Sequence, residues 1–111
     1  MPIVNAYING GKIVPELEAI VQPLKQFVAE KLTCQDIKLQ SSEVTVRILP
    51  VNGRGMIAEV ELDIIAAPFK ERVEKQDEIC LEIRRFLLEH IQSLEDVRVW
   101  LILTELGHSW E

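Results

Sequence analysis

The sequence is poor in aromatic residues and in clustered positive charge, and both shortages restrict what the chain can be. Three Phe, two Trp and one Tyr are its only aromatic residues among 111, so the core must consist mainly of Ile, Leu and Val. Twelve basic residues stand against 18 acidic ones, for a formal net charge of -6. Nucleic-acid binding requires a concentrated basic patch, and we therefore expect no nucleic-acid partner.

Cysteines, phosphate-binding loops and long apolar runs are also scarce. Cys34 and Cys80 are too far apart in sequence to form a metal-ligand motif. His90 and His108 have no cysteine or carboxylate neighbour at metal or triad spacing, and no glycine-rich loop precedes a predicted helix. We expect reduced thiols, no metal site and no cofactor. Without a signal peptide or a membrane-length apolar run, we expect a cytoplasmic protein with no membrane partner.

The spacing of the apolar residues predicts two similar halves, each made of a strand, a helix and a second strand. Apolar residues alternate with polar ones in four segments and recur at helical spacing in two others. The predicted strands span residues 2–8, 44–51, 56–66 and 97–104, and the predicted helices span residues 15–32 and 69–91. We therefore predict an α+β fold in a single domain over residues 1–111, with pseudo-repeat halves at about 2–51 and 56–104.

Local features add detail to this prediction. Pro23 lies inside the first predicted helix, where a proline removes a backbone donor, so we expect a kink there. The segment Asn-Gly-Arg-Gly at 52–55 predicts a hairpin turn between the halves. In the second helix, the helical period assigns Val73 to the apolar inner stripe and Arg72 to the solvated face.

Two known folds share the order β-α-β-β-α-β. One is the ferredoxin-like fold. In the other, the two strands of each β-α-β unit are adjacent and parallel. Both give a four-stranded sheet with two helices on one face, and the element order alone does not separate them.

The second residue, Pro2, is a candidate for chemistry. Removal of Met1, which is favoured before a small residue, would leave Pro2 with a free secondary amine. Burial against apolar residues disfavours the protonated form of such an amine and lowers its pKa, so that it can act as a general base near neutral pH. The alternative is that Pro2 merely begins a strand, where its missing N–H does no harm.

The residues around Pro2 resemble the tautomerase superfamily. The segment from Pro2-Ile3 to Gly10-Gly11-Lys12 is similar to the start of the oxalocrotonate tautomerase family, with Lys12 at the position of that family's arginine. Val46-Arg47-Ile48 resembles its Val-Arg-Val strand, and Met56 falls where that family has an apolar pocket residue. The resemblance implies that Pro2 is the catalytic base, and that Lys12 and Arg47 hold and polarise an acidic substrate.

The second half resembles the longer, macrophage migration inhibitory factor-like members. The similarity rests on the chain length, on the helix entry at Val14-Pro15, and on Arg98-Val99-Trp100 followed by a short tail near Trp110. It implies that Trp100 lines the proline pocket. Arg47 has an alternative role, a cross-strand ion pair with the acidic face of the third strand.

The predicted sheet has one face without helices, and this face carries apolar side chains as well as charges. Large exposed apolar areas are uncommon in monomers, and superfamily members cover this face by forming trimers. The resemblance therefore implies a homotrimer with cyclic symmetry, in which Lys12 or Trp100 of a neighbouring chain completes the pocket. The apolar residues of this face are Ile3, Tyr7, Leu49, Trp100 and Ile102.

Three functions follow from these expectations. The first is a tautomerase that acts on a small carboxylate-bearing substrate, a 2-oxo or 2-hydroxydienoic acid, with Pro2 as general base. The second is a non-catalytic trimeric binding or scaffold protein of the same fold. The third is a ferredoxin-like module that binds a small effector.

Overall fold

A computed structural model describes residues 2–10, 12–35, 37–52, 55, 58–107 and 109 of the chain. Its elements follow the predicted order, with one additional short helix in each half. The N-terminal half contains β1 (Ile3–Asn9), α1 (Val14–Ala19), α2 (Val21–Leu32), a 3-10 turn (Ser41–Glu43) and β2 (Thr45–Val51). The C-terminal half contains β3 (Val60–Ala66), α3 (Lys70–Glu74), α4 (Gln76–His90) and β4 (Val97–Leu103).

The four strands form one mixed sheet in the order β2-β1-β3-β4. β1 is parallel to β2 and β3 is parallel to β4, whereas the central pair β1 and β3 is antiparallel. The two strands of each β-α-β unit are therefore direct neighbours. This pairing contradicts the ferredoxin-like alternative, in which each β-α-β unit is split by another strand.

The predicted hairpin between the halves is wrong, because β1 lies between β2 and β3. The connection instead passes the end of β1, where the N–H of Asn9 donates to the Glu59 carbonyl at 2.9 Å and the N–H of Gly10 donates to the Val51 carbonyl at 3.4 Å. Gly55 has a φ of 86°, a conformation that favours glycine. Turn composition predicts a reversal of the chain, but it does not determine which strand the chain pairs with afterwards.

Both predicted helices are interrupted. The first breaks at Ile20 (φ -109°, ψ 12°) and the second at Lys75 (φ -109°, ψ 16°). The kink expected at Pro23 thus lies three residues earlier, so that Pro23 is the third residue of α2. In an uninterrupted helix its ring would clash with the carbonyl of Ala19, whereas a proline in a first turn displaces no intrahelical hydrogen bond.

The core lies between the helices and one face of the sheet. The even-numbered residues of β1 and β3 point toward the helices and are buried. On the helix side, α2 and α4 contribute apolar side chains at helical spacing. The core includes Val4, Ala6, Ile8, Leu24, Val28, Leu32, Val60, Leu62, Ile64, Ile79, Ile83 and Leu87.

Two side chains of α3 are oriented opposite to the prediction. Arg72, assigned to the solvated face, is buried with 4% of its surface exposed, and Val73, assigned to the inner stripe, is 50% exposed. The Nε of Arg72 donates to the carbonyl of Leu32 at 2.9 Å, and its Nη1 donates to the carbonyl of Ala67 at 3.1 Å. The last carbonyls of a helix lack intrahelical donors, and Arg72 supplies one at the end of α2.

Candidate functional site

The sheet face opposite the helices, here called the open face, brings residues from all four strands together. It is formed by Ile3, Asn5 and Tyr7 of β1, by Thr45, Arg47 and Leu49 of β2, by Glu61, Asp63 and Ile65 of β3, and by Arg98, Trp100 and Ile102 of β4. The register aligns Arg47 with Asn5, Asn5 with Asp63, and Asp63 with Trp100. These four residues, the polar row, cross the sheet with one side chain from each strand, because directly paired residues share a face.

Arg47, the predicted substrate-binding residue of β2, is exposed on this face. Its Nη1 donates to the Oδ1 of Asn5 at 3.4 Å. The residue directly opposite Arg47 is therefore an amide, and β1 separates Arg47 from the acidic residues of β3. Because the Arg47 side chain is exposed, a carboxylate can approach its guanidinium from solvent.

Pro2 is buried at the start of β1. Its carbonyl accepts a hydrogen bond from the N–H of Thr45 at 3.0 Å, which extends the pairing of β1 and β2 by one step. Continuing the register of β1 by one residue brings Val44 and Ala66 next to Pro2, and both are 1% exposed. Pro2 thus lies at an apolar end of the sheet.

Lys12 lies at the opposite end of β1 and is exposed. At about 3.3 Å per residue, the length of β1 separates it from Pro2 by roughly 25 Å. Lys12 lines a depression of about 460 Å³ together with Asn9, Glu16 and Glu59. Within one chain the structure does not bring Lys12 and Pro2 together, so a site containing both requires a second chain.

Trp100 is half exposed and belongs both to the polar row and to a depression of about 360 Å³ between β4 and α4. That depression is also lined by Cys80, Arg84 and Arg98. Met56, the remaining predicted site residue, lies outside the described residues.

The shifted pKa values fall on both sides of the sheet. On the open face, burial and the nearby Glu61 raise the pKa of Asp63. On the helix side, a hydrogen bond from Lys31 lowers the pKa of Glu82. Burial also lowers the pKa of Arg72 and raises the pKa of the Cys80 thiol. Of these groups with a shifted pKa, Asp63 is the one that belongs to the polar row.

Sequence reasoning missed Asn5 and Asp63 as members of the candidate site. The alternation in β3 correctly put Asp63 on the polar side of its strand. The register between strands, which places Asn5 and Asp63 beside Arg47, leaves no local signal in the sequence.

Within residues 2–10, 12–35, 37–52, 55, 58–107 and 109, no group of three or more His, Cys, Asp or Glu side chains could hold a metal ion. In the same part of the chain, no helix is long and apolar enough to cross a membrane.

Two adjacent parallel β-α-β units joined by an antiparallel central pair make up the tautomerase fold, and this chain has that fold. A fused 4-OT, a wild-type symmetric trimer, aligns over 92% of this chain and 85% of its own with 18% identity and a TM-score of 0.64. Malonate semialdehyde decarboxylase aligns over 97% of this chain and 92% of its own, with 12% identity and a TM-score of 0.67. These proteins are members of the tautomerase superfamily.

A further structural neighbour is the macrophage migration inhibitory factor-like protein of Entamoeba histolytica. It aligns over 97% of this chain and 95% of its own, with 13% identity and a TM-score of 0.66. No protein-family model and no curated protein matches the sequence. At these identities the similarity concerns the fold, and the chemistry must be argued from the residues.

Proposed function

We propose that this chain is a cytoplasmic tautomerase that uses the amine of Pro2 as general base on a small 2-oxo or 2-hydroxydienoic acid. The observation that carries the proposal is the burial of Pro2 at the apolar start of β1. Loss of Met1 would convert the Pro2 nitrogen into a secondary amine at that position. Desolvation favours the neutral form of an amine, which is the form that can accept a proton.

In the proposed reaction on a 2-oxo acid, the Pro2 nitrogen removes a proton from the carbon next to the carbonyl, and the electron pair of the broken C–H bond gives an enolate. The protonated amine then returns the proton to the enolate oxygen, forming the enol. On a 2-hydroxydienoic acid, Pro2 takes the hydroxyl proton, and the resulting dienolate accepts that proton at a conjugated carbon. Arg47 binds the substrate carboxylate and stabilises the enolate charge. Lys12 contributes a point charge, because an ammonium lacks the two-point grip of a guanidinium.

The proposal includes a homotrimer. Pro2 and Lys12 occupy opposite ends of β1, so only a neighbouring chain can bring a Lys12 to a given Pro2. The open face also carries Trp100 and Ile102, which are 50% and 42% exposed. Fused 4-OT proteins of the same fold are trimers, and a trimer would cover these side chains.

The test begins with the N-terminal mass of the protein purified from its native source. Loss of Met1 is expected. Turnover of phenylpyruvate and 2-hydroxymuconate is then compared between the wild type and Pro2→Ala, which should lose about 10²- to 10⁴-fold in kcat, the usual contribution of a positioned base. Gln22→Ala, at an exposed position of α2, is the matched control and should retain wild-type rates. Equal rates in wild type and Pro2→Ala would refute the catalytic proline.

A second function is a trimeric binding or scaffold protein without catalysis. The observation that favours it is the position of Lys12 in a depression shared with the carboxylates Glu16 and Glu59. Their negative charge competes with an acidic substrate for the lysine. In that case the chain would be trimeric, and neither the wild type nor Pro2→Ala would turn over either substrate.

A further inference from the structure

Two carboxylates, Glu61 and Asp63, project from β3, which is a central strand of the sheet. They are two residues apart in the strand and therefore share the open face, with their Cα atoms about 7 Å apart. Both side chains are half-buried already in the single chain. Any chain that covers the open face must cover these two carboxylates.

Among the described residues, the surroundings of Asp63 contain little positive charge. Its direct neighbours are Asn5 on β1 and Trp100 on β4. The cations of the open face are Arg47, which lies two strands away and donates to Asn5, and Arg98, which pairs in register with Glu61. The Nε of Arg98 is 3.8 Å from the Oδ1 of Asp96.

The remaining titratable side chain of this face near Asp63 is Tyr7, which pairs with Glu61. Asp63 is thus flanked by an amide and an indole and lies near a second carboxylate. Burial and the charge of Glu61 already raise its pKa. Further loss of solvent acts in the same direction, because it penalises the ionised form of a carboxyl group.

We propose that covering the open face with further copies of this chain is coupled to proton uptake at Asp63, so that the assembly tightens as the pH falls. The inference rests on the proposed trimer and adds a regulatory property to it. The occupant is a second copy because Trp100 and Ile102, on the strand next to β3, leave 50% and 42% of their surfaces exposed on this face, and because a fused 4-OT of the same fold is a trimer.

The direction of this pH dependence follows from the linkage between proton binding and assembly. A carboxyl group whose pKa is higher in the assembly than in the free chain binds protons as the assembly forms. Association is then strongest below the pKa of the free chain and weakens as the pH rises through the pKa of the assembled one. Within that window the effect is at most about tenfold per pH unit for each Asp63 covered.

The test is sedimentation velocity on a dilution series of the full chain between pH 4.5 and 8. The wild type should associate more tightly at the acidic end. Asp63→Asn should associate at least as tightly at pH 8 as the wild type does at pH 4.5, with a much smaller pH dependence. Asp77→Asn, which removes an exposed carboxylate from α4, should behave as the wild type does. If Asp63→Asn does not fold, Asp63→Ser replaces it in the same measurement, after circular dichroism has shown that this variant is folded.

The outcomes separate this inference from the proposed trimer. A wild-type trimer whose association does not change with pH, or an Asp63→Asn variant with the wild-type pH slope, overturns the role of Asp63 and leaves the trimer intact. A chain that is monomeric at every pH and concentration, with or without Asp63→Asn, overturns the trimer itself and this inference with it.

Discussion

The two faces of the sheet are built by the same four strands, yet they differ in almost every side chain. The helix-facing side of β1 and β3 consists of apolar residues that are essentially inaccessible to solvent. The open face mixes apolar side chains with charged and polar ones, including the polar row of Arg47, Asn5, Asp63 and Trp100. The comparison indicates that one face stabilises the single chain, whereas the other remains partly exposed and carries the residues of the proposed assembly and chemistry. Matched substitutions on the two faces can test this division.

The largest difference is expected between Ile64→Ala and Ile65→Ala, two neighbouring isoleucines on opposite faces of β3. Ile64 is fully buried against the helices, and its truncation should lower the free energy of unfolding by about 2–5 kcal/mol. Ile65 is half-buried on the open face, so the loss there should be about 1 kcal/mol or less. Urea unfolding at a protein concentration where the chain is monomeric measures both. Equal losses would contradict the division of roles between the faces.

The two arginines Arg72 and Arg47 provide the next comparison. Arg72→Met removes the guanidinium donor from the carbonyls of Leu32 and Ala67, which keep only the Cys34 thiol and the Phe69 N–H as donors. The loss of two hydrogen bonds to a buried charged group should lower the free energy of unfolding by about 2–3 kcal/mol. Arg47→Met removes an exposed cation and should change the free energy of unfolding by no more than about 0.5 kcal/mol. Thermal or urea unfolding measures both effects. A loss for Arg47→Met as large as that for Arg72→Met would show that the open face also stabilises the single chain.

The smallest effects are expected for the carboxylates Glu82 and Asp63, whose pKa values shift in opposite directions. Glu82 pairs with Lys31, which lowers its pKa from the ordinary value of 4.5. This contribution is present above pH 4.5 and disappears as the pH falls through the lowered pKa. At pH 7, Glu82→Gln should therefore cost at most about 1 kcal/mol, and less at high salt.

The raised pKa of Asp63 has the opposite consequence. Its ionised form destabilises the folded chain above the raised pKa, and this cost vanishes below the ordinary value of 3.8. Asp63→Asn should therefore slightly stabilise the chain at pH 7, and both carboxylate effects should fade at pH 3. The pH dependence of urea unfolding checks this. The assigned pKa directions would be contradicted if Glu82→Gln and Asp63→Asn changed the free energy of unfolding in the same direction at pH 7. They would also be contradicted if Glu82→Gln lowered that free energy as much at pH 3 as at pH 7.

The predictions that proved correct depend on interactions within a few residues of the chain. Alternation in β3 and β4 correctly placed Leu62 inside and Asp63 and Trp100 on the open face, since the period of a strand follows from its own geometry. The predictions that proved wrong involve contacts made at a distance. The buried side of α3 was assigned to Val73 rather than Arg72, because the donor needed at the end of α2 is not visible in the α3 sequence.

The sequence by itself determined the order of strands and helices, the apolar and polar side of each strand, and the candidate residues Pro2, Lys12 and Arg47. These follow from local periodicity and from a resemblance carried by short segments. Only the tertiary structure decided which strands are neighbours, and it did so by burying one continuous apolar face beneath the helices. That choice placed β1 between β2 and β3 and aligned Arg47 with Asn5 and Asp63.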